Sequence, residues 1–168
     1  MNYFKVLNLT QKYDIEPALL KENYLAEQMK YHPDRAPSNE LKIKYIETSM
    51  LLNEAYKILG DDYLRAEYLL KLNGFDLSDE KLNYKLSHLE LEQIIDEYDM
   101  LEKIDQIEDL KKIEQQKLDA KSALIVLLSK EFKSHNFAKA LEIAVRLKYL
   151  TNLAQNIKLK IKHANNRD

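Results

Sequence analysis

The sequence predicts an all-α protein of two domains, and three observations carry that prediction. Two glycines and three prolines stand among 168 residues otherwise rich in Leu, Ile, Lys, Glu and Ala, which leaves little material for tight hairpins. Apolar residues recur at helical spacing along most of the chain. Turn formers cluster in few places, chiefly the His-Pro-Asp segment and Gly74 to Glu80, and the latter is the expected domain boundary. The length suits one or two small domains.

The same composition excludes several classes of function. A net charge of -2, with 32% charged residues, provides no basic field for a phosphate backbone, so nucleic acid is not an expected main partner. The absence of cysteine removes disulfides, thiolate metal sites and a cysteine nucleophile. No signal-type apolar stretch opens the chain and no apolar run reaches ~18 residues, so neither export nor membrane insertion is indicated, and the cytoplasm is the expected compartment.

The elements follow in order. "NYFKVLNL" reads as a short first helix, with Asn2 as its N-cap and Tyr3, Phe4, Leu7 and Leu9 as core candidates. "TQKYDIE" is a polar loop. Pro17 sits where a first helical residue belongs, a position that tolerates proline because its missing N–H has no intrahelical partner. The second helix should run to Tyr31, with Leu20, Tyr24 and Tyr31 as its stripe, Leu25 and Met29 beside it, and Glu27 interrupting it. Pro33 pushes His32 out of the helical region and ends the helix. After the loop "HPDRAPSNE", a third helix should begin near Asn39 and run antiparallel through Ile43, Ile46, Met50, Leu52, Asn53, Tyr56 and Leu59, with Gly60 as its stop. A shorter fourth helix should end at Gly74.

Beyond the boundary, Ser87 can cap a helix to about Ile107, and two long helices near 108–134 and 136–164 complete an antiparallel three-helix bundle, with Asn136 capping the last. Acidic residues crowd 90–109 and basic ones the last helices, as expected of oppositely charged helices packed side by side. The helix after Ser87 carries two apolar sectors: Leu89, Met100, Ile104 and Ile107, and Leu91, Ile94, Ile95 and Tyr98, with Leu101 between them. One should face the bundle.

His32 and Asp34 together raise the question of acid–base or metal chemistry. The supporting residues are missing. His88, His135 and His163 lie near helix ends in the second domain, and the chain has no glycine-rich phosphate loop, serine elbow or ligand pair at helical spacing. No catalytic residue, metal ligand or cofactor is therefore expected. Taken alone, His-Pro-Asp is a helix stop.

In its surroundings the tripeptide reads differently. A short first helix, a helical hairpin whose loop is His-Pro-Asp, Lys30-Tyr31 before it and "NEAYKIL" at 53–59 together resemble a J-domain, the module that activates Hsp70 chaperones. "NYFKVLNL", "RAEYLL" at 65–70 and "NGFDL" at 73–77 narrow the resemblance to HscB-type co-chaperones of iron-sulfur cluster assembly, in the bacterial form without a cysteine-rich extension. That resemblance implies a J-domain over residues 1–75, which engages a dedicated Hsp70 of the HscA type, and a bundle over 76–168, which binds a scaffold of the IscU type. It implies an activator of the partner's ATPase, not an enzyme. His32, Pro33 and Asp34 would be read by the Hsp70, with Lys21, Tyr24, Lys30 and Arg35 at further docking positions; Leu25 and Ala26 stand where general-purpose J-domains are basic. Scaffold-contacting positions fall at Glu90, Leu91, Ile94, Ile95, Tyr98, Glu102 and Tyr149, of which Glu90, Ile95 and Tyr98 depart from the usual residue types. The alternative is a J-domain adaptor for another client.

Overall fold

The computed structural model describes residues 2–75 and 87–165. All the regular elements among them are helical: α1 Tyr3–Val6, α2 Pro17–Lys30, a 3-10 turn Pro33–Arg35, α3 Asn39–Gly60, α4 Asp62–Leu72, α5 His88–Glu102, α6 Ile107–Lys133 and α7 Phe137–Asn165. The chain divides into two compact units, residues 1–69 and 70–168. The boundary expected at Gly74 to Glu80 falls largely outside the described residues.

In the first unit, local chemistry sets each helix end. The Asn2 side chain accepts from Phe4 N–H at 3.0 Å and starts α1, while Asn8, at φ 52°, turns the chain out of it. Ser38 caps α3 by accepting from Leu41 N–H. The break after α3 differs from expectation. The helix runs through Gly60, and Asp61 makes the corner by accepting from the N–H groups of Tyr63 and Leu64, both at 2.9 Å, so a carboxylate starts α4 where a glycine stop was expected. Gly74 does adopt a left-handed conformation, φ 82°, and Phe75 N–H reaches back to Leu70 O at 2.9 Å, closing α4.

The α2–α3 hairpin is held by polar and aromatic groups. Gln28 Nε2 donates to Asn53 Oδ1 at 2.7 Å and Ser49 Oγ donates to Gln28 Oε1 at 2.8 Å. Tyr24 OH donates to the same Asn53 oxygen at 2.7 Å, and its ring stacks on Tyr56 at 4.3 Å. Because these pairs occupy the facing positions, α3 is rotated from the register its apolar spacing suggests. Leu52, Ala55 and Leu59 are buried, whereas Ile43, Ile46 and Met50 of the same run are exposed. Glu27 also finds its reason, since it accepts from Asn8 Nδ2 at 3.2 Å and ties α2 to the turn after α1. The loop before α2 is less polar than it reads: Tyr13 is buried and its hydroxyl donates to Asp62 O.

The second unit is an antiparallel bundle in which α7 packs chiefly along α6, with α5 lying on α7 at fewer points. Ser87 and Glu90 form a reciprocal capping box: Glu90 N–H donates to Ser87 Oγ at 3.3 Å and Ser87 N–H to Glu90 Oε2 at 2.9 Å. Helix α5 ends at Glu102, earlier than the expected Ile107. Ile104 therefore leaves the helix and packs, with Tyr98, Ile113 and Ile161, against a core of Leu101, Leu110, Leu153 and Ile157. Lys160 Nζ donates to the carbonyls of Leu101 and Glu102 at 2.7 and 2.8 Å, placing a cation on the α5 C-terminus. Asn136 caps α7 through Lys139 N–H, as the sequence predicts, and His135, at φ 55°, makes the preceding corner.

Candidate functional site

The first candidate site is the loop that joins α2 to α3. Tyr31 N–H still bonds Glu27 O, but His32 is extended, at φ -64° and ψ 131°, and Pro33 opens a single 3-10 turn. His32 Nδ1 accepts from Asp34 N–H at 3.3 Å, so the neutral ring carries its proton on Nε2 and offers a donor to solvent. The Asp34 carboxylate lies 3.7 Å from Nδ1. Both side chains stand free, His32 at 56% exposure and Asp34 at 81%. The proline turn and the bond from Asp34 N–H set the direction of the imidazole, and neither side chain is buried. A backbone already held in this turn loses little further ordering entropy on meeting a partner, and the carboxylate suits an arginine.

The flanking residues divide. Lys21 is exposed on α2. Lys30 lies 4.9 Å from the centre of the Tyr31 ring and 3.7 Å from Glu27; a hydrogen bond to Tyr31, then the charge of Glu27, raise its ammonium pKa above the ordinary lysine value. Arg35 is exposed but tied back along the loop: its Nη1 donates to Met29 O at 3.1 Å and closes the end of α2. Tyr24 is half-buried against α3. Lys21, Lys30, His32, Asp34 and Arg35 thus reach solvent, Arg35 while bonded to the end of α2, and Tyr24 builds the hairpin. Among the described residues no group of three or more His, Asp and Glu side chains is placed to hold a metal ion.

The second candidate site lies on the bundle. Glu90, Ile94, Tyr98 and Tyr149 line one groove of 450 Å³, together with Ala120, Ala123, Leu124 and Leu153 among others. Two ion pairs border it: Glu90 to Arg146 at 2.6 Å, and Glu97 to Lys117 at 2.6 Å. The acidic helix is therefore paired with both of its neighbours. Burial, with the nearby Tyr149 and Glu97, raises the Tyr98 hydroxyl pKa above the ordinary tyrosine value. Of the remaining candidates, Leu91 is half-buried beside the groove, whereas Ile95 and Glu102 are exposed. Both apolar sectors are split between interior and surface, since Ile95 of the Leu91 sector is exposed and Ile104 of the Leu89 sector packs on the bundle core. Ile94 and Tyr98 turn toward the bundle, and Leu89 and Met100 of the other sector are exposed. Arg146 and Lys117 were not singled out as partners in the sequence; the opposed charge of the helices was the available signal.

Glu90 is engaged on three sides. The Ser87 N–H and hydroxyl and the Arg146 guanidinium pull its pKa down to about 2. A depressed carboxylate contributes stability that is present above its unfolded pKa of about 4.3 and is lost as pH falls through the folded value. An NMR titration of the Glu90 carboxyl is expected to show a midpoint near 2. A midpoint at the unperturbed value would mean that the cap and ion pair do not hold in solution.

Comparisons with known proteins bear on both sites. The DnaJ domain profile matches residues 2–68, and the HSCB C-terminal oligomerisation domain profile matches residues 90–158. A co-chaperone protein HscB from Proteus mirabilis is 32% identical over 96 residues, a match that covers 56% of this chain and 56% of that protein. The chain thus spans little more than half the length of the curated relatives it matches. Among solved structures, human co-chaperone protein HscB is similar with a TM-score of 0.87 and 27% identity, covering 95% of this chain and 82% of that one. Chaperone HscB from Vibrio cholerae, at 22% identity and a TM-score of 0.80 over 94% of this chain and 96% of that one, shares the fold.

Proposed function

We propose that this chain, whose two halves match the DnaJ domain and the HscB C-terminal domain, is an HscB-type J-domain co-chaperone that stimulates the ATPase of a dedicated Hsp70 of the HscA type and delivers to it an iron-sulfur scaffold of the IscU type, in the cytoplasm. The observation that carries this reading is the exposed His32-Pro33-Asp34 loop at the tip of the α2–α3 hairpin, in a chain whose second half matches the HscB C-terminal domain. The residues 1–75 would dock on the Hsp70, and 76–168 would hold the scaffold. ATP hydrolysis belongs to the chaperone. His32 and Asp34 would act by contact: Asp34 accepting from an arginine, His32 Nε2 donating to a neighbouring acceptor, and Pro33 holding both in place.

The test is a steady-state ATPase assay with an HscA-type Hsp70, this chain and an IscU-type scaffold, added singly and together. Stimulation by both is expected to exceed the product of the separate stimulations. Purely independent effects would remove the adaptor role, and no effect of this chain would remove the activator role.

A second reading has an observation behind it. Glu90 is tied to Ser87 and Arg146, and Ile94 and Tyr98 face the groove, which leaves Ile95 and Glu102 as the exposed members of the proposed scaffold face, with Leu91 half-buried. A J-domain adaptor for another client would present such a changed surface. Leu91→Ala with Ile95→Ala is expected to weaken scaffold binding by about tenfold or more, the effect of losing one or two buried apolar contacts. Unchanged capture of the scaffold by that double variant would favour the other client.

A further inference from the structure

Helix α5 is anchored at one end. Of its fifteen residues the buried one is Leu101, in the last turn, where Leu110, Leu153 and Ile157 complete a core and Lys160 bonds the last carbonyls. Toward the N-terminus no α5 side chain is buried, and the helix stands beside the 450 Å³ groove. Ala120 and Ala123 of α6 are too short to fill that space, and Ile94, Leu124 and Leu150 make its lining apolar. Two ion pairs tie this stretch of α5 to its neighbours: Glu90 to Arg146 of α7 and Glu97 to Lys117 of α6, both at 2.6 Å. Ion pairs as exposed as these shift an equilibrium by no more than about fivefold each, so they hold the stretch in place without locking it.

We infer that α5 is a latched strap: it pivots at Leu101, the Glu90–Arg146 and Glu97–Lys117 pairs keep it closed, and the scaffold opens it by placing apolar side chains in the groove and basic ones against the released glutamates. The inference rests on the adaptor reading above and adds a control on it. Charge identifies the occupant. Helix α5 carries six carboxylates and no lysine or arginine, so release from Arg146 and Lys117 leaves a wholly acidic strap beside an apolar groove, the complement of a segment that is apolar and basic. The intramolecular pairs are then exchanged for intermolecular ones, and the groove gains the side chains that Ala120 and Ala123 do not supply. While the strap is closed the scaffold is held off, so the apparent affinity is the intrinsic one reduced by the open fraction.

Arg146→Gln with Lys117→Gln removes both ties and spares the Ser87–Glu90 cap. In the full chain carrying both changes, amide hydrogen exchange over residues 88–97 is expected to run at least about fivefold faster than in the parent, with residues 141–157 of α7 unchanged. An IscU-type scaffold is expected to bind that variant at least about fivefold more tightly, whereas ties that only shaped the bundle would weaken binding when lost. The converse variant, Glu97→Cys with Lys117→Cys, carries the chain's only thiols, since the sequence has no cysteine. Joined by a short bismaleimide that contains a reducible disulfide, they are expected to lower scaffold binding by about tenfold, and reduction is expected to restore it. Circular dichroism checks that each variant is folded. Exchange over 88–97 that does not quicken would show that these pairs do not hold α5. Scaffold binding that is unchanged or weaker in the glutamine variant, or indifferent to the cross-link, would show that the strap does not open for it, and either result overturns the inference. A parent that captures no scaffold sinks the adaptor reading and this inference with it, and the exchange rates, measured without scaffold, tell that case apart from a strap that was never latched.

Discussion

His32→Gln is expected to abolish stimulation of the Hsp70 ATPase while leaving the chain folded and its binding to scaffold unchanged. The ring is more than half exposed, and its one hydrogen bond within the chain is to Asp34 N–H, so the core loses nothing when it is replaced. What changes is the tip of the loop. The imidazole is a rigid planar group with an acceptor fixed on its own loop and a donor directed to solvent, and glutamine spreads the same polar atoms over a longer, freer side chain. Hydrogen bonds that involve a charged partner are worth about 1.5 to 3 kcal/mol, which corresponds to roughly a ten- to hundredfold loss in coupling. The measurement is the single-turnover ATPase rate at saturating co-chaperone, with circular dichroism and scaffold binding as controls. A variant that stimulates as well as the parent would show that the loop is not the activating element. Asp34→Asn, which keeps the shape and removes the charge, is expected to lose most of the stimulation as well.

The largest effect on stability is expected at Arg65. It is the buried charged residue among the described ones, and it is placed by three groups of the first unit. Its Nη1 donates to the Leu59 carbonyl at 2.7 Å at the end of α3, its Nη2 pairs with Asp62 at the start of α4, and its guanidinium lies 4.8 Å from the centre of the Tyr13 ring. One side chain therefore fixes the α3–α4 corner and the loop before α2 together. Arg65→Met removes the donor and leaves the Leu59 carbonyl unpaired in a buried site, a cost of about 2 to 4 kcal/mol. Arg65→Lys keeps the charge but loses the fork and the stacking, and is expected to recover less than half of that. Urea unfolding followed by circular dichroism reads both. Wild-type stability in Arg65→Met would mean that the corner is held by Asp61 and the apolar packing alone. Arg65 Nε is buried without a hydrogen-bond partner, so the side chain carries a cost alongside its benefit.

The helices were legible because their ends are written locally. Asn2, Pro17, Ser87 and Asn136 are residues whose own chemistry starts a helix, and Pro33 stops one wherever it stands. The register of α3 was not legible. Apolar residues run along α3 from Ile43 to Leu59 without marking which are interior, and Gln28, Ser49, Asn53 and Tyr24 satisfy one another across the hairpin, so that pairing takes the facing positions and leaves Ile43, Ile46 and Met50 exposed. A polar residue that finds its partner over twenty positions away looks, in the sequence, like a solvated one. Arg65 and Tyr13 were hidden for the same reason.

The candidate sites divide along the same line. His32, Pro33 and Asp34 are adjacent in the chain, and proline geometry with exposure is enough to present them, so the sequence sufficed. Tyr24 sits close to them in sequence, yet only a tertiary contact turns it onto Asn53, while Arg35 bonds locally back to Met29 O. On α5 the sequence supplied two apolar sectors and no means of choosing, because a helix alone is symmetric about its axis with respect to burial. The neighbouring helices broke that symmetry: Arg146 and Lys117 took hold of Glu90 and Glu97, drawing Ile94 and Tyr98 over the groove and leaving Leu89 and Met100 outside. By itself, then, the sequence determined the all-helical class, the capped helix starts and the loop at the hairpin tip, since each follows from the conformational limits of a few adjacent residues, whereas the ends of α3 and α5 did not fall where it placed them. Which face of each helix is inside was decided by the tertiary structure, because burial is a property of pairs of side chains that the chain brings together from far apart.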